Sequence, residues 1–82
     1  MTYQELFDTF QFRLKEMNLG GALPKVPKSS FITRVMLAAK SEDLSEMKRV
    51  IIKYENMRTD MPDLFGMVVL FIKEHMDEEQ LS

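Results

Sequence analysis

The 82-residue chain contains no cysteine, which removes disulfides, thiolate–zinc sites and cysteine nucleophiles together. Tryptophan is also absent, and His75 is the only imidazole, so the stock of acid–base groups is thin. Long apolar runs are missing as well. The most apolar stretch, Leu64–Ile72, is nine residues long and interrupted by Gly66, whereas a helix needs about 20 apolar residues to cross a bilayer. The N-terminus opens with an acidic amphipathic pattern rather than a basic region followed by an apolar one, so no targeting segment is expected. The chain reads as a complete cytoplasmic protein.

Hydrophobic residues make up 45% of the chain and charged residues 29%, too apolar for a disordered segment. At this length one domain over residues 1–82 is expected, with a small core. The net charge of −2 lacks the basic surplus usual in nucleic-acid-binding domains. That total conceals a gradient. Residues 20–41 carry Lys25, Lys28, Arg34 and Lys40 with no acid, and residues 59–82 carry six acids against Lys73. Such polarity suits self-association or a charged partner surface.

Four segments show helical periodicity. Thr2 and Glu5 have the spacing of a capping box, and Tyr3, Leu6, Phe7, Phe10, Leu14 and Met17 follow as one stripe. Gly20-Gly21 then provides a stop. Pro24 and Pro27 favour an extended loop, after which Ser29 or Ser30 is expected to cap a second helix carrying Phe31, Ile32, Val35, Met36, Ala38 and Ala39 inward. A tight turn at Lys40–Asp43 leads to a third helix, capped by Ser41 or Asp43, with Leu44, Met47, Val50, Ile51, Tyr54 and Met57 on its inner face. Thr59 or Asp60 is expected to cap a fourth, with Pro62 in its first turn. That helix is apolar on nearly every side, as befits a central element or one lying between its own core and a partner. The fold class expected is therefore all-α, a four-helix bundle-like domain with helices at about 3–19, 30–40, 43–57 and 61–78.

Motifs that carry chemistry are scarce. No Walker loop, dinucleotide fingerprint or EF-hand spacing occurs, so no cofactor is expected. His75 shares a helix side with Leu64, Val68 and Ile72, where a lone histidine is far more often a packing residue than a base. His75 with Glu79, and Glu74 with Glu78, are spaced to share a cation, but two ligands do not close a site, and no metal is expected. Lys25, Lys28 and Arg34 near a helix start could hold an anion, although a solvated loop accounts for them more simply. The second and third helices resemble a helix-turn-helix in outline. Glu42, Asp43 and Glu46 would then face the phosphates and repel them, so DNA reading by this unit is disfavoured.

Exposed stickiness is the positive signal. There are eight methionines, a residue over-used at adaptable binding surfaces, though Met17, Met47 and Met57 fit the core stripes. Phe12, Ile52 and Leu70 project away from the centres of their stripes. With Met67 they form the candidate partner-binding set, Phe12 as aromatic anchor, and Lys25, Lys28 and Arg34 supply a charged edge. The segment Ile32–Ile51, ITRVMLAAKSEDLSEMKRVI, resembles the helical hairpins of small bacterial and phage regulators. That resemblance implies an inhibitor, anti-factor or adaptor and carries no functional residue across. The function expected is thus a non-enzymatic regulator, encoded by a phage or a bacterium, that binds another protein, with no catalytic residue assigned. A homo-oligomer through the fourth helix is compatible with it. A nucleic-acid-binding accessory using residues 25–40 is the alternative.

Overall fold

The computed structural model describes the backbone of residues 1–17 and 27–81 and the side chains of residues 1–17 and 29–76. Five helices occur among the described residues, and no strand: α1 (Tyr3–Met17), α2 (Pro27–Lys40), α3 (Leu44–Lys53), α4 (Met57–Asp60) and α5 (Pro62–Leu81). The protein is an all-α, bundle-like fold. The expected stop at Gly20-Gly21 and Pro24 of the following loop lie outside the described residues.

Helix α1 begins with the capping box that its sequence spells. The Thr2 N–H donates to Glu5 Oε1 at 3.0 Å, and the Glu5 N–H donates to Thr2 Oγ1 at 3.1 Å. The bond from the Thr2 backbone, reinforced by the Thr2 side chain, holds the Glu5 carboxyl below its ordinary pKa. Helix α2 starts at Pro27, ahead of the serines expected to cap it. Proline's fixed φ and missing N–H suit the first helical position, so Ser29 and Ser30 fall inside the first turn.

The α2–α3 connection closes on itself. The Glu42 N–H donates to the Ala39 carbonyl (3.1 Å) and the Asp43 N–H to that of Ala38 (2.9 Å), the paired bonds of a Schellman motif. Glu42 occupies the left-handed position of this motif, with φ of 53°. Asp43 then caps α3 by accepting the Glu46 N–H at 3.0 Å, so of the two expected caps Asp43 takes the role.

The expected third helix, 43–57, is broken after Lys53. The Tyr54 N–H still reaches Val50, but the N–H groups of Met57, Arg58 and Thr59 bond three residues back, to Tyr54, Glu55 and Asn56. This tighter winding separates α3 from the single turn of α4. Thr59 and Asp60 therefore lie within α4 instead of capping the last helix. Met61 precedes α5, and its carbonyl accepts the Phe65 N–H at 2.9 Å. The break leaves both Met57 and Met61 inside.

One cluster of buried apolar residues joins all five helices, and no buried polar or charged residue occurs among those described. Its centre is Phe31, fully buried on α2. The ring lies edge-on to Phe10 of α1 at 6.1 Å, stacks on Phe65 of α5 at 6.2 Å and tilts against Tyr54 at 6.0 Å. Helix α1 runs antiparallel to α5. Tyr3 meets Phe71 and His75 at one end, and Arg13 pairs with Asp63 at the other. No helix among the described residues is long and apolar enough to cross a membrane.

Phe31→Ala removes a ring that three segments share, and should cost about 3–5 kcal/mol. In a domain of this size that approaches the whole stability, so urea titration by circular dichroism should find little folded protein. Glu42→Gly should act in the opposite direction, raising stability by about 0.5–1 kcal/mol in the same assay, because glycine takes a positive φ without the side-chain penalty.

Candidate interaction surface

Phe12, Ile52 and Leu70 all stand outside the core, at 65%, 76% and 57% exposure. Their surroundings differ. Phe12 lies on the side of α1 opposite Phe10, flanked at helical spacing by Asp8, Lys15 and Glu16. Ile52 has Lys48, Arg49 and Glu55 as its neighbours in the same sense. Single apolar side chains among charges are ordinary on protein surfaces. Met67 is half-buried and packs against the core, which makes it the least available of the four.

Leu70 is different because the exposed Val69 stands beside it. Along α5, Pro62, Gly66, Val69, Leu70 and Lys73 recur at offsets of 0, 4, 7, 8 and 11 and so share one face. This face lines a groove of about 390 Å³ that reaches Arg58 of α4. The Arg58 guanidinium lies 5.2 Å from the centroid of Phe65, and its Nε forms an ion pair with the Glu55 carboxylate at 3.0 Å. Arg58 and Lys73 are the charged residues that line the groove, and no carboxylate does. Asp63, next to Pro62 on α5, bonds Arg13 of α1 instead. Partial desolvation raises the Asp63 pKa, but hydrogen bonding from the Leu64 backbone and the Arg13 charge outweigh it, so the carboxyl sits below its ordinary value.

Gly66 forms the floor of the groove, where an added Cβ would meet no atom within 4 Å. The fold itself therefore does not require glycine there. The residues that the sequence reading missed are Val69, Gly66, Arg58 and Lys73. The face from Pro62 to Lys73 is visible as a spacing in the sequence, but it is hidden within a helix that reads as apolar all round. Arg58 joins it only because the chain tightens after Tyr54.

The other candidates fall elsewhere. Arg34 is exposed on α2 and lines a second groove with the exposed Leu37, between Leu14 of α1 and Tyr54. Lys25 and the side chain of Lys28 lie outside the described residues, so the expected charged edge is described only at Arg34. His75 is half-buried, stacked on Phe71 at 3.8 Å with Tyr3 edge-on at 4.9 Å. Its Nδ1 lies 2.9 Å from the Phe71 carbonyl, which makes that nitrogen the protonated one. The Glu78 and Glu79 side chains, which the spacing argument joined to Glu74 and His75, lie outside the described residues. No group of three or more His, Asp and Glu able to hold a metal ion occurs among the described residues.

No family model matches the chain, and neither a curated protein nor a solved structure is significantly similar to it.

Gly66→Ala should raise stability by about 0.5–1 kcal/mol, since alanine is the better helix former and the space for its methyl is open. A thermal melt several degrees higher is the expected result. A lower melting temperature would mean that the helix needs a bare backbone at that point.

Proposed function

We propose that the chain is a small protein-binding module, a regulator or adaptor acting through the outer face of α5. One observation carries this reading. Val69 and Leu70 are exposed side by side, next to a glycine that the fold does not use, in a groove with an apolar floor. Contiguous exposed apolar surface rimmed by charge marks interaction sites on soluble domains. Glycine inside a helix weakens it, and one whose missing side chain serves no internal contact suits the close approach of another molecule.

Leu70 is the anchor in this reading, with Val69 beside it. Phe12 and Ile52 contribute as separate apolar contacts on other helices. Arg58 and Lys73 are the cations at the edge of this surface. Such charges raise the rate of encounter more than the final affinity. The reading assigns no reaction to the protein.

The test is a comparison of wild type with Leu70→Glu, each immobilised and exposed to nuclease-treated lysate at low and moderate salt. Leu70→Glu should keep its helicity and melting temperature within about 0.5 kcal/mol of wild type, as surface changes do. A protein that the wild type retains in near-stoichiometric amount at both salts should be lost from the variant. Equal retention by both, or recovery only of material that nuclease removes, would refute an apolar docking site on α5.

A further inference from the structure

The break between α3 and α4 contains no residue that requires it. Residues 44–61 include neither glycine nor proline, and the repeat of Leu44, Met47, Val50, Tyr54, Met57 and Met61 runs through at helical spacing. The departure from helical geometry centres on Tyr54, with φ of −109° and ψ of 41°, a ψ about 80° from the helical value. Asn56 is already back at −62° and −18°. The N–H groups of Glu55 and Asn56 find no backbone acceptor among the described residues. A straight helix would give them the carbonyls of Ile51 and Ile52. The contacts that hold the bend are tertiary: the Tyr54 ring lies against Phe31, and Met57 and Met61 are drawn into the core. Local preference and core packing thus conflict at this one segment.

We propose that residues 54–56 are a hinge through which α4 and α5 exchange between two copies of this chain. With Tyr54 turned to helical geometry, α3 and α4 merge into one helix over residues 44–60, and α5 is swung away from its own Phe31. The α5 of a second copy takes its place. The contacts it makes there are those already present within one copy: Phe65 on Phe31, Phe71 against Tyr3, and Asp63 with Arg13. Complementarity of shape and charge between the copies is therefore built in. The exchanged dimer adds two backbone hydrogen bonds per copy at the hinge. It is opposed chiefly by the freedom lost on association, so concentration favours it. The exchange does not rest on the docking reading of α5.

Refolding the full chain from urea at millimolar concentration, followed by sedimentation, tests this. A dimer is expected beside the monomer. Asn56→Ala, the better helix former, should tighten it about fivefold to tenfold, since its preference counts once in each copy. Asn56→Pro should abolish it, because proline suits the φ of −62° in the bent form but cannot donate to Ile52 within a straight helix. Asn56→Gly also opposes a straight helix, without constraining Glu55, and should give the same result if the proline variant does not fold.

A mixture of Arg13→Asp and Asp63→Arg chains, refolded together, separates exchange from surface pairing. Each chain alone sets like charges across the α1–α5 contact, and exchange between the two restores both opposite pairs. A mixed dimer in severalfold excess over either pure one is the expected result. A chain that stays monomeric, with Asn56→Ala included, would overturn the proposal. So would a dimer that Asn56→Pro and Asn56→Gly leave intact, or one that forms without preference in the mixture.

Discussion

The arrangement of this protein depends on the ring of Phe31. Its neighbours are Phe10, Tyr54 and Phe65, which come from α1, the end of α3 and α5. A core without a single buried polar group among its described residues has no hydrogen bond with which to choose between alternative packings. Shape has to do so, and aromatic rings supply directional contacts that aliphatic side chains lack. Because Phe31 touches three segments, it sets the relation of α1 and α5 to the α2–α3 hairpin. Arg13–Asp63 and the Tyr3–Phe71–His75 cluster then fix α1 along α5 at its two ends.

That packing divides α5 into two faces. Leu64, Phe65, Val68, Phe71 and Ile72 are taken into the core, and Asp63 is turned towards α1. Among the described residues, Val69 and Leu70 on the opposite side of the helix are exposed. The single turn of α4 that follows the break after Lys53 sets Arg58 alongside them. The candidate docking face is thus a product of the same constraint that builds the core.

Periodicity and capping made much of the fold legible before any coordinates. The inward stripes of α1, α2 and α3 follow the 3.6-residue repeat, and the Thr2–Glu5 box and the Asp43 cap are short-range hydrogen-bond patterns that local spacing determines. The break between Lys53 and Met57 was not legible. Tyr54, Met57 and Met61 continue the apolar repeat straight through it, so the pattern is the same whether the helix is whole or tightened. The start of α2 was displaced for a similar reason, since a proline reads equally well as the last loop residue or as the first helical one.

For the candidate site the division is sharper. That Phe12, Ile52 and Leu70 stand apart from their stripes is a matter of angle around a single helix, which the order of residues alone determines. Which of them has apolar company is a matter of how helices meet. Leu70 gains Val69, Gly66 and two flanking cations, whereas Phe12 and Ile52 remain among charges, and only the tertiary structure decided this. The physical reason is range. Helical stripes, caps and turns are set by residues within about four positions of one another, while a surface between elements is set by core packing across the whole chain.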